Sequence, residues 1–172
     1  MPVPTIPSQV EKPALNDYLE VMTRAVFQAG LSWASIAGRW DAFRDAFENF
    51  DVARVAAMDE LDIERLLQTG ILRSPRKIRA SIQNARTLLE LDRQFGGFHR
   101  YLRSFDAYET LAGDIQRKFK FMGEMNVWYF LFLVREPVPV FDRWVKTIPG
   151  DHPRMREMVE RARAAGTSTE VA

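Results

Sequence analysis

The run Val127-Trp128-Tyr129-Phe130-Leu131-Phe132-Leu133-Val134 has no charged side chain and no polar face. A surface helix keeps one polar face, so a segment that is apolar all round predicts a helix at the centre of a domain, ended by Pro137 and Pro139. Eight residues fall well short of the roughly 20 that a membrane span needs. Outward from this run, nearly every apolar pattern repeats at three and four residues, and no stretch alternates cleanly between apolar and polar. That spacing predicts an all-α fold.

Turn and cap residues divide the chain. Asn16 is expected to cap a first helix carrying Leu19, Met22 and Val26 and stopped by Gly30. Ser32 caps a second, with Trp33, Ile36, Trp40, Phe43 and Phe47 on one face. Asp51 and Asp59 open two short helices, the second ending at Gly70. Ser74-Pro75 combines a cap with proline at the first helical position, and that helix runs to Gly96-Gly97. Further short helices follow over 98–105 and 106–119. Asp151-His152-Pro153 starts a last one that Gly166 closes. The expected organisation is a proline-rich arm over 1–13, one helical domain over 14–166 and a frayed tail over 167–172.

With 172 residues the chain is sized for one domain. The absence of cysteine excludes disulfides, thiolate nucleophiles and sulfur-ligated zinc, and fits a reducing, cytoplasmic setting. Twenty-four Lys and Arg against 23 Asp and Glu leave a net charge of +1, so any basic surface must be local. Met1 to Pro7 has neither the charge nor the apolar core of a signal peptide, and no membrane partner is expected.

Three stretches stand out chemically. Arg73, Arg76, Lys77 and Arg79 crowd a helix start, where cations oppose the macrodipole. Either a phosphate offsets that cost, using free N–H groups beside Arg and Lys, or Arg76, Lys77 and Arg79 extend into water or pair with Glu60 and Glu64. Arg117-Lys118-Phe119-Lys120-Phe121-Met122-Gly123 precedes the buried helix; it reads as a phosphate-binding hairpin or as a solvated corner. Gln28-Ala29-Gly30-Leu31-Ser32-Trp33 is a tight turn between aromatic-rich helices, with Trp33 either in a pocket or in the core in register with Trp40.

That last stretch resembles the DNA-3-methyladenine glycosylase I family of the helix-hairpin-helix glycosylases. The likeness continues through Phe47-Glu48-Asn49-Phe50-Asp51, Gly70-Ile71-Leu72-Arg73 and Lys77 to Arg86, and resumes at Lys118 to Gly123. The resemblance implies an all-helical, monomeric enzyme that binds double-stranded DNA, turns a damaged base out of the stack and hydrolyses its N-glycosidic bond in base-excision repair. An alkylated base is cationic and leaves readily, so an electron-rich aromatic pocket and electrostatic help carry most of the chemistry. By the resemblance, Trp33, Gln28 and Tyr129 form the base pocket. Gly123, Lys120 and Lys118 contact DNA at the hairpin, with Arg73, Arg76 and Lys77 beside them.

The departures from the family are specific. Ala25 stands where the family has its pocket glutamate, three residues before the glutamine. The zinc cysteines are missing and their C-terminal positions fall near Val140 and Trp144, so no cofactor is expected. Pro137-Val138-Pro139-Val140-Phe141-Asp142 resembles the segment that leads to the catalytic aspartate of the wider superfamily. On that likeness Asp142 is the catalytic carboxylate; on local grounds it is a helix N-cap. His99 and His152, the only histidines, lie in different elements and lack metal-ligand spacing. A lesion or DNA-structure binder that has lost the chemistry is the alternative to the enzyme, and a divergent scaffold holding a small aromatic ligand is a third.

Overall fold

In the computed structural model, which describes residues 3–172, four of the predicted N-caps are in place. Ser32, Asp51, Asp59 and Ser74 each accept a bond from the N–H three residues on, at 3.0–3.2 Å. They open α2 (Trp33–Gly38), α4 (Val52–Ala56), α5 (Glu60–Gln68) and α6 (Pro75–Phe95), which α1 (Leu15–Gln28) and α3 (Trp40–Ala46) precede and separate. Then come α7 (Phe98–Leu102), α8 (Tyr108–Lys118), α9 (Glu124–Leu133), α10 (Phe141–Trp144) and α11 (Pro153–Ala165). The fold is all-α, with one minimal pair of strands, β1 (Val138–Pro139) and β2 (Glu170–Val171).

The apolar run lies at the centre, as its composition requires: no residue from Val127 to Val134 is more than 2% exposed. Trp128 stacks on Phe132 and Trp144, meets Phe141 edge-on, and donates its indole N–H to the Pro139 carbonyl at 3.1 Å. α1 packs on α6 and α9, and α6 continues the core against α4 and α7. The helix ends at Leu133, before the two prolines, because Arg135 turns into the left-handed region at φ 61°.

Three expectations need correction. The cap of α1 is Ala14; Asn16 lies inside the first turn and accepts the Val52 N–H at 3.1 Å, joining α1 to α4. The aromatic helix after Ser32 is two helices, broken at Arg39 just after Gly38, whose low helix propensity suits a break. The arm is packed: Ile6 is buried, the Pro4 and Thr5 carbonyls accept Arg24 Nη2, and Gln9 Nε2 donates to Phe132 O. Nor is the tail frayed. β2 pairs in parallel with β1, and Glu170 accepts the Phe141 N–H at 2.7 Å and both Arg163 Nε and Nη2 at 2.7 Å.

Candidate functional site

The turn from α1 to α2 is built on backbone geometry. Gly30 has φ +76°, a region costly for side chains, while a Cβ there would meet nothing within 4 Å, so conformation and not space requires the glycine. Leu31 follows at the tip, 49% exposed. Lys77 secures the turn from α6: its Nζ donates to Ala29 O at 2.7 Å and Phe27 O at 3.4 Å, and lies over the Phe27 ring. Burial lowers its pKa. Lys77 is therefore not a free DNA contact; its charge sits at the C-terminal, negative end of α1, where a cation is favourable. This also resolves part of the cation crowding, and Arg79 pairs with Glu60 at 2.9 Å.

Beyond the turn, the half-buried Trp33 indole stands edge-on to Tyr129, with ring centroids 5.5 Å apart. Gln28 is the last residue of α1, and Arg24 lies one turn before it. Burial pushes the Tyr129 hydroxyl well above its usual pKa; the Arg24 charge and the facing Gln28 amide pull it partly back. Tyr129 Oη, Gln28 Nε2 and Arg24 Nε are all buried without a hydrogen-bond partner among the described residues. A buried polar atom left so costs about 1–3 kcal/mol, and in a folded protein it calls for an explanation. The structure thus brings Trp33, Gln28 and Tyr129 together and adds Arg24, which the sequence reading missed. Its only signal was a charge embedded among the apolar residues of α1.

The hairpin between α8 and α9 is held from the core. Asn84 accepts the Lys120 N–H at 2.7 Å and donates to the Lys120 carbonyl at 3.1 Å. Asn126 donates to the carbonyls of Phe121 at 2.7 Å and Ala25 at 3.4 Å, tying the hairpin to α1. These bonds hold Phe121 in the left-handed region at φ 58°, 36% exposed, with Arg76 over its ring. Gly123 has ordinary φ −76° and precedes α9, whose first N–H groups receive no side-chain cap. Neither Asn was anticipated; Asn84 interrupts the apolar face of α6, and that interruption is the available signal.

Around this hairpin the predicted cations divide. Lys118 is bound to Asp114 at 2.9 Å and lies over Tyr101, so it is not a free phosphate ligand. Lys120 and Arg76 line an open cleft of about 500 Å³ with Phe121. Arg73 lines a second, of about 400 Å³, with Gly30 and Leu31. Both clefts border the first turn of α6.

Asp142 stands elsewhere. It is not an N-cap: Val140 holds that position, and the α10 N-terminus is bonded by Glu170. Its carboxylate faces α11, at 3.0 Å from Arg163 and 3.5 Å from Arg156. Its helix packs on Trp128 through Phe141 and Trp144, whereas Trp33 packs on Tyr129. The residues do not fit a zinc ion either: cysteine is absent, the positions in question are apolar or aromatic, and no cluster of three or more potential ligands occurs among the described residues.

A family model described as methyladenine glycosylase matches residues 12–127, a span holding Gln28, Trp33, Lys120 and Gly123 but ending before Tyr129 and Asp142. The chain is 43% identical over 79 residues to DNA-3-methyladenine glycosylase 1 of Escherichia coli, covering 45% of this chain and 42% of that protein. It is 32% identical over 89 residues to DNA-3-methyladenine glycosylase of Haemophilus influenzae, covering 51% and 48%. The chain spans about half the length of the curated relatives it matches. A crystal structure of 3-methyladenine DNA glycosylase I superposes with a TM-score of 0.62 at 30% identity, covering 74% of this chain and 81% of that one.

Proposed function

Because this chain belongs to the methyladenine glycosylase family, we propose that it hydrolyses the N-glycosidic bond of alkylated, 3-methyladenine-type bases in duplex DNA, as a step of base-excision repair. One observation carries the reading: a half-exposed indole stands edge-on to a buried tyrosine above polar atoms that no described residue satisfies. A base turned out of the duplex supplies what that arrangement lacks, a flat π-face for Trp33 and hydrogen-bond partners for Gln28 and Tyr129. The uncapped N-terminus of α9 at Gly123, with Lys120 and Arg76 in one cleft bordering α6 and Arg73 in the other, is suited to the phosphates on either side.

The positive charge of an alkylated base makes it a good leaving group, so positioning and electrostatics do the work and no metal is required. The lack of a sulfur donor supports a cofactor-free enzyme. Asp142, held by two guanidinium groups, is assigned to anchoring α11.

Incubation of methylated duplex DNA with the protein tests this through the free base released. Release is expected, lost in Trp33→Ala and retained in Asp142→Asn; loss in Asp142→Asn returns that carboxylate to the catalytic role. The replacement of the pocket glutamate by Ala25 favors a second reading, a lesion binder without chemistry. Tight, salt-sensitive binding of methylated DNA with no release would establish it.

A further inference from the structure

The turn that ends α9 has a backbone suited to glycine. The Glu136 N–H returns to Leu131 O at 2.9 Å and the Arg135 N–H to Phe132 O at 3.2 Å, the paired bonds that close a helix around one left-handed residue. That residue is Arg135, at φ 61°. A side chain is disfavoured there relative to glycine, and the polar head of this one has no partner. Its Nε is buried without a hydrogen bond, and the guanidinium forms no ion pair among the described residues.

Arg135 lines a cavity of about 210 Å³ between the arm, the end of α9 and α11. Ile6, Phe132 and Met158 give it an apolar wall, each of them buried. Gln9 lines it too. Its Nε2 donates to Phe132 O at 2.9 Å, which fixes the amide, and its Oε1 is buried with no donor to accept from. Arg161 adds a second cation, steadied by Glu157 at 2.8 Å, and among the described residues no carboxylate lines the cavity. Buried polar atoms left unpaired call for a partner; here one is a charged donor and the other an acceptor. None of the lining residues belongs to the α1–α2 turn or to the α8–α9 hairpin.

We propose that this cavity binds a small organic carboxylate that also carries a hydrogen-bond donor. The carboxylate takes the fork of Arg135, Nε with one Nη, and the donor serves Gln9 Oε1. The apolar body lies against Phe132 and Met158. A cavity of about 150 Å³ accepts benzene, so this one suits a molecule of roughly ten non-hydrogen atoms. The proposal does not depend on the base-excision reading.

Isothermal titration calorimetry of the full chain at neutral pH with 3- and 4-hydroxybenzoate, benzoate and 4-hydroxybenzamide tests it. At least one hydroxybenzoate is expected to bind with a Kd of about 0.1 mM. Benzoate, which lacks the donor, should bind about threefold or more weaker, and the amide, which lacks the charge, about tenfold or more weaker. Arg135→Gly, which suits the turn, should lose about tenfold or more in affinity for the carboxylate. Arg135→Lys keeps the charge without the fork and should lose about fivefold; if the glycine variant does not fold, the lysine variant decides. No binding of either hydroxybenzoate up to about 10 mM, benzoate or the amide bound as tightly as they are, or an unchanged affinity in either variant overturns the proposal.

Discussion

On α9, Trp128 and Tyr129 are adjacent and both buried, yet they serve two different regions. Trp128 is stacked between aromatic rings and its single polar atom is bonded to Pro139 O. Tyr129 supports the half-exposed Trp33, and its hydroxyl is unsatisfied among the described residues. Of these two neighbours on the helix, one has its polar atom bonded and the other does not. The difference teaches that burial alone does not separate core from site. Polar satisfaction is a second criterion, since a core can remove an unpaired group by substitution and a binding site has a use for it.

A series of substitutions breaks or sharpens that contrast. Trp128→Ala should destabilise the protein by about 3–5 kcal/mol in denaturant titration, while Tyr129→Phe should be neutral or stabilising because it removes an orphaned hydroxyl. A large loss in Tyr129→Phe would show that the hydroxyl is satisfied after all. Trp33→Ala should leave stability within roughly 1 kcal/mol but weaken binding of methylated DNA by about tenfold or more, the order expected for losing one stacking partner.

On the satisfied side, Glu170→Gln should lower the melting temperature at neutral pH, by an amount corresponding to about 1 kcal/mol. Burial raises the Glu170 pKa, but Arg163, the Phe141 N–H and Ser168 together outweigh it and hold the carboxyl below its usual 4.5. The folded pKa lies below the unfolded one, so the stabilisation is present above that range and fades as pH falls through the folded value. The gap between wild type and Glu170→Gln therefore closes on acidification. Glu136 works in the opposite sense: burial dominates over Arg103 and His99 and raises its pKa, so its contribution is present at low pH and lost as pH rises. Smallest of all, Lys120→Gln or Arg76→Gln should leave folding unchanged and reduce the slope of log affinity against log salt by about 1 each. A slope unaffected by either change would remove these two from the DNA face.

The parts of this fold legible in sequence are those settled within a few residues. Ser74-Pro75 and Asp59 act on N–H groups three positions away, and the run from Val127 to Val134 excludes a surface place by composition alone. The misreadings share a cause in partners remote along the chain. Lys77 is a surface cation until Ala29 O, 48 residues away, is found beside it; Asp142 looks like a cap until Glu170, 29 residues from Phe141, occupies that function. In the site, Trp33, Gln28 and Tyr129 were brought in by resemblance, and their grouping could not be derived from spacing. Arg24 was invisible because its guanidinium is steadied by the arm carbonyls of Pro4 and Thr5, a contact no helical pattern encodes.

Trp33 differs from the other three tryptophans in a way that has a practical use. Trp40 and Trp128 are sealed in the core and Trp144 nearly so, whereas Trp33 meets solvent. Its emission should lie to the red of the others and be the fraction reached by a dissolved quencher such as acrylamide. An occupant stacked on the indole would shield it, so the protein carries its own optical gauge of whether the pocket is filled.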